Sequence, residues 1–112
     1  MAVRSKLLVL DTTSSTANAD KLVYTVPSGE TTLFKSAVFR WRNATAGTFR
    51  ITVRTSGSSK FAVYELAMVN GQSAIIEPMI TLPEGYDLMV RSTVASAVEL
   101  IFSGAELEGI AD

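Results

Sequence analysis

The side chains that most often carry out chemistry are absent from this chain or stand alone in it. Histidine and cysteine are both missing. That removes the commonest general base, the usual neutral-pH proton switch, the thiolate nucleophile and the sulfur-rich zinc site together. A serine nucleophile would then need lysine as its base, yet no Ser-x-x-Lys spacing occurs and there is no Gly-x-Ser-x-Gly elbow. The glycines form neither G-x-G-x-x-G nor G-x-x-x-x-G-K, so no loop is written to cradle a phosphate. Carboxylates are scattered one per loop or strand, and Glu106 with Glu108 sits on the C-terminal tail, which is not the facing pair that glycoside hydrolysis requires. Asn43-Ala44-Thr45 matches a glycosylation sequon, with nothing beside it that points to secretion. The expectation is a protein without catalytic residues, cofactor or metal.

One constellation does stand out. Arg40 and Arg42 flank Trp41, and Arg50 and Arg54 flank the apolar series Phe49, Ile51, Val53. If these two stretches are strands paired through the 43–47 loop, all four arginines point outward together, and like charges across a ladder cost roughly a few tenths of a kcal/mol per pair unless opposed. Three sources of opposing charge fit: Glu65, Glu77 or Glu99 in the same sheet, a carboxylate-rich partner protein, or nucleic-acid phosphate. Phosphate ranks last, because the chain is slightly acidic and no outward aromatics interleave with the arginines as stacking platforms.

The elements that must position these residues are strands. At 112 residues the chain is one domain, long enough to bury a core without staples. Two segments, from Val26 and from Leu82, lead an apolar residue into Pro-x-Gly and then into alternating apolar and polar residues, the pattern of a tight turn feeding a half-buried strand. Read by period, the chain gives about eight strands, at 4–10, 20–26, 31–42, 48–55, 61–69, 73–81, 86–93 and 97–103. The fold expected is an all-β, single-domain antiparallel sandwich, jelly-roll-like, with an immunoglobulin-like sandwich left open. Its divisions are a strand and polar loop at 1–19, the sandwich at 20–104 and a tail at 105–112. Alternation places Leu33, Ala37, Phe39 and Trp41 on one inner side, Phe49, Ile51 and Val53 on another, and Leu88, Val90, Val98, Leu100 and Phe102 on the inner sides of the last two strands. FAVYELAMV has a helix-compatible composition, but nine residues between turn signals favour a strand. Loop 11–19 carries no packing signature, and AELEGIAD reads as a single helical turn or a disordered end.

Net charge is −1, unevenly spread: residues 1–60 hold nine basic and three acidic groups, and residues 61–112 hold Arg91 against eight acidic ones. Either strands of the two halves interleave and neutralise each other, or the surface is two-signed and suited to docking. MAVRSKLLVLD is too short in its apolar run for a signal peptide, and no stretch approaches the roughly 18 apolar residues of a membrane span. Synthesis in a cytoplasm, with no membrane partner, is expected.

These segments resemble the small β-sandwich virion proteins of tailed bacteriophages and related prophages. The matching residues are Val26, Pro27, Gly29, Lys35 and Ser36 of a VP-x-G-x-x-x-x-x-K-S strand; Leu82, Pro83, Gly85, Leu88, Val90 and Ser92 of an LP-x-G turn and L-x-V-x-S strand; and Val98, Leu100, Ser103, Gly104, Glu106 and Leu107 of a closing V-x-L-x-x-S-G-x-E-L strand. The resemblance spans residues 22–108 and implies a non-enzymatic component of the virus particle. It implies a capsid decoration protein bound to the major capsid protein or other virion proteins, as a homo-oligomer with a trimer favoured. A tail, neck or fibre-base component is the alternative. A carbohydrate-binding module would need exposed aromatics, for which Trp41, Tyr24, Tyr64 and Tyr86 are the candidates. The candidate interface residues are Arg4, Lys6, Leu8, Arg40, Arg42, Arg50 and Arg54, the first three on a segment that pairs at the edge of its own sandwich or adds to a neighbour.

Overall fold

The computed structural model describes residues 3–108. Within them alternation is read out as nine strands: β1 (Val3–Thr12), β2 (Lys21–Thr25), β3 (Glu30–Trp41), β4 (Gly47–Arg54), β5 (Lys60–Met68), β6 (Ser73–Ile76), β7 (Ile80–Leu82), β8 (Asp87–Ser92) and β9 (Val98–Glu108). FAVYELAMV is a strand, because its alternate residues Tyr64, Leu66 and Met68 turn toward the core while Glu65 and Ala67 face out. The expected strand 73–81 is two. Pro78 has no amide to give a ladder and Met79 takes a left-handed φ of 52°, which breaks the run between β6 and β7.

The strands form two antiparallel sheets. One has the order β1-β9-β3-β6, with β7 also on β3, and the other the order β2-β8-β4-β5. Taking β6 and β7 as one interrupted strand, β1 pairs with β9, β2 with β8, β3 with β6/β7 and β4 with β5. The chain is thus one long hairpin, its apex at 55–59, rolled into a double Greek key: a jelly roll rather than an immunoglobulin-like sandwich. This topology explains the charge split. The apex coincides with the change of sign, so the basic half runs antiparallel to the acidic half, and the ion pairs Lys6–Glu106, Arg42–Glu99, Arg50–Glu65 and Arg54–Asp87 all join one half to the other.

The two Pro-x-Gly segments meet at one end of the sandwich. Glu30 N bonds Pro27 O and Tyr86 N bonds Pro83 O, both at 3.2 Å, with Gly29 and Gly85 at φ near 80° as such turns demand. The turns are tied to each other through Val26 N to Tyr86 O at 2.9 Å and through the Glu84 carboxylate, which accepts from Gly29 N.

The core lies between the sheets and includes Phe34, Phe39, Trp41, Phe49, Ile51, Leu88, Val90, Leu100 and Phe102. Leu33 departs from expectation. A bulge between Phe34 and Ser36 shifts parity, so Thr32 and Phe34 point inward ahead of it, Ala37, Phe39 and Trp41 follow behind it, and Leu33 is half-buried on the outer side. Gly104 answers that bulge from β9: a side chain there would collide with the Leu33 carbonyl oxygen. β9 does not stop at 103. It stays paired with β1 and β3 through Leu107, with Ala105 and Glu106 buried, where a helical turn or disordered end was expected. Residues 109–112 lie outside the described residues. The 11–19 loop is anchored after all: Thr13 is buried, takes a hydrogen bond from Ser92 Oγ at 2.9 Å and donates its amide to Val98 O.

Candidate interaction surfaces

The sequence-derived interface residues do not form one surface. Register is as alternation requires, with Trp41 fully buried and Arg40 and Arg42 exposed. Yet β3 and β4 belong to different sheets, so segment 43–47 crosses the sandwich instead of closing a hairpin. The crossing is fixed by Trp41, whose Nε1 donates to Thr45 O at 3.0 Å and whose ring lies over Gly47, where a Cβ would meet it at 2.8 Å. The expected four-arginine face is therefore corrected: Arg40 and Arg42 lie outside one sheet, Arg50 and Arg54 outside the other.

Acidic neighbours within the fold oppose three of these arginines. Arg42 meets Glu99 at 3.0 Å, and Arg50 Nε donates to Glu65 at 2.8 Å, two of the acids anticipated from sequence. Arg54 grips Asp87 Oδ2 through Nε at 2.8 Å and a terminal nitrogen at 2.7 Å, while Thr25 donates to the other oxygen at 2.7 Å. Arg50 also faces Arg91 across β4 and β8, so Glu65 offsets two like charges. Among the described residues, exposed Arg40 makes no ion pair, although Glu99 is its register partner on β9.

On β1, Lys6 Nζ lies 3.2 Å from Glu106 Oε1. Leu8, expected at an interface, sits in the bulge between Leu7 and Val9 and is half-buried against the core. Arg4 is placed opposite Glu106 in register, and its side chain lies outside the described residues. β1 pairs with β9 of its own sheet and forms that sheet's edge.

Sequence reasoning missed two features. The first is Glu106, which is only 3% exposed because the alternation Val98, Leu100, Phe102, Gly104 continues to it. Tyr24 Oη donates to it at 2.6 Å and lies 2.7 Å from Thr32 Oγ1, so one carboxylate ties β1, β2, β3 and β9 together. Burial, reinforced by the bond to Glu106, holds the Tyr24 phenol well above its ordinary value of 10.0. The Lys21 ammonium, 2.9 Å from Asp11, holds that carboxyl below its ordinary 3.8. Among the described residues no three acids converge as a metal site.

The second feature is apolar. Across the outer face of β1-β9-β3-β6, register aligns Leu10, Ile101, Val38 and Ile75 in one row, exposed by 71% at Leu10, 46% at Ile101 and 70% at Ile75. A shallow depression of about 490 Å³ runs beside it, lined by Leu10, Ile101 and Val38 of this row and by Thr12, Glu99, Arg40 and Ser73 of the next. Its signal in the sequence is the unbroken apolar runs AVF, LIF and AII, which leave an apolar residue on both faces of a strand. The four aromatics named as a carbohydrate platform do not form one: Trp41 is fully buried and Tyr24, Tyr64 and Tyr86 are half-buried, while Phe61 is exposed.

No protein-family model matches the sequence, and no curated protein matches it. Solved structures do match. A chain of the Bacillus endospore appendages, a family of disulfide-linked pili, aligns with TM-score 0.58 and 14% identity over 96% of this chain and 89% of that one. The Drosophila NLP core aligns with TM-score 0.55 and 10% identity over 92% and 100%. A chain of infectious bursal disease virus, strain Gx, aligns with TM-score 0.56 and 10% identity over 94% of this chain and 31% of the other. What these likenesses share with the chain is its fold.

Proposed function

We propose that this chain is a non-enzymatic structural protein of a bacteriophage particle, a decoration protein that binds the assembled head in many copies, as a trimer or other ring. The observation that carries the reading is the complete jelly roll built around the phage-like motifs: the VP-x-G and LP-x-G turns brace each other, and the S-G of the closing strand is the close approach at the β3 bulge. Chains with this fold come from pili, from a protein described by its pentamer formation and from a virus particle, all of them assemblies. Repeated copies on a shell would offset modest affinity per contact. The carbohydrate reading loses its platform with Trp41 buried. A tail or neck position stays within the same structural class. Incubating the purified protein with undecorated heads and with separated tails, then sedimenting each, tests the proposal. Saturable co-sedimentation with heads and a raised rupture temperature are expected; binding to tails alone, or to neither, overturns the decoration role.

A further inference from the structure

The outer face of the β1-β9-β3-β6 sheet has an internal two-fold pattern. Its register rows read Leu10–Ile101–Val38–Ile75 and, next to them, Thr12–Glu99–Arg40–Ser73, each in the order β1, β9, β3, β6. About a line between β9 and β3, apolar mirrors apolar and the acid Glu99 mirrors the base Arg40. From this we infer that the occupant of the face is a second copy of this chain, packed face to face about a two-fold axis that runs along the strands between β9 and β3.

The geometry follows from the symmetry operation. Such an axis carries the β9 position of one copy over the β3 position of the other without shifting it along the strands. Ile101 then lies over the partner's Val38, Leu10 over the partner's Ile75, and Glu99 over the partner's Arg40, each contact made twice, as an isologous interface requires. Two sheets meeting at the usual roughly 30° angle keep the central pairs in contact. Apolar residues exposed by 71%, 70% and 46% are covered, and Arg40, which makes no ion pair among the described residues, gains Glu99 of the second copy while Glu99 keeps Arg42. An apolar centre beside a charged rim is the usual anatomy of such a contact. On the opposite sheet Arg50 and Arg54 are already engaged by Glu65 and Asp87, and its exposed Leu22, Phe61 and Val63 are not aligned in one register row. The inference goes beyond the decoration reading, does not depend on it, and departs from its trimer or ring in making the solution contact two-fold.

Sedimentation velocity of the full chain over a range of concentrations reads the contact directly. A reversible dimer is expected, and Ile75→Asp, at a position 70% exposed, should leave the melting temperature within a few degrees while weakening the dimer at least tenfold. Arg40→Glu alone should also weaken it, by setting acid over acid. Arg40→Glu combined with Glu99→Arg should restore it while the melting temperatures of the single variants stay near the parent's, which separates the contact between copies from the register pairing of the two residues within one chain. A chain that stays monomeric at every concentration overturns the inference. So does a trimer or ring whose mass and stability are unchanged by Ile75→Asp, or a monomer in which Ile75→Asp abolishes only particle binding, which would assign the face to the shell. Failure of head binding with the dimer intact would remove the decoration reading alone.

Discussion

The two sheets have equivalent inner faces and unlike outer ones. Each contributes aromatic and branched residues to the core, Phe34, Phe39 and Phe102 from one and Phe49, Ile51 and Val90 from the other. Outside β2-β8-β4-β5, Arg50 and Arg54 are tied down by Glu65 and Asp87 and exposed apolar residues such as Leu22 stand apart; outside β1-β9-β3-β6, apolar side chains lie open in a row. Folding constrains the inner faces and tolerates either outer pattern. The inner likeness records what holds the molecule together, and the outer difference is where the proposed contact between copies would be read.

Substitutions should separate these two kinds of information by size of effect. The largest losses belong to the shared interior. Trp41→Ala should cost about 3–5 kcal/mol in a denaturant titration, and Gly104→Val, which drives a side chain into the Leu33 carbonyl, should prevent folding. If either variant melted like the parent, the rigid inner layer would be a wrong description. Next comes the polar outer face. Asp87→Ala leaves Arg54 and Thr25 without their acceptor at a site 8% exposed, and about 1–3 kcal/mol should be lost. A neutral result would make the two outer faces energetically alike. Smaller again is Tyr24→Phe, expected to cost about 1 kcal/mol by removing the donor to Glu106. Because the folded phenol titrates above its unfolded value of 10.0, its contribution is complete below that pH and falls as pH rises beyond it. An alkaline melting series should show the parent losing stability above pH 10 and the phenylalanine variant losing less. For Asp11 the sign reverses: its contribution is present above 3.8 and disappears as pH falls below it. The smallest effect is expected on the apolar outer face, where Leu10→Thr should stay within about 0.5 kcal/mol of the parent in the monomer.

How much of this was legible in the sequence depended on whether a residue obeys local parity. Trp41, Phe49, Ile51, Leu88 and Phe102 could be placed because alternation holds through their strands, and Gly29 and Gly85 because their turns need a left-handed residue. Leu33 could not, since one bulge residue reverses parity without changing composition. The arginines were misgrouped for a different reason: a short Gly-containing loop reads the same whether it closes a hairpin or crosses between sheets, and only the rest of the topology decides. Glu106 was missed with its strand, because a carboxylate is ordinarily a sign that burial has ended. Of the candidate interface, the outward direction of Arg40 and Arg42 was legible and the symmetry around Arg40 was not. It exists only once β9 is known to lie beside β3.

The rolled hairpin also sets an order for folding. Only β4 and β5, joined across the 55–59 apex, can meet cheaply; every later pair closes a larger loop, the largest being that of β1 and β9, where Lys6 and Glu106 are 100 residues apart in the chain. A topology so dominated by distant contacts folds slowly, on the order of milliseconds to seconds, and zips from its middle toward its ends. β1 is then the final strand to dock, and pulsed hydrogen exchange should find its amides protected after those of β4 and β5. A late-docking strand is also the one whose unpaired backbone stays open longest to another chain, so a freshly synthesised molecule spends its last folding step with one sheet edge uncovered.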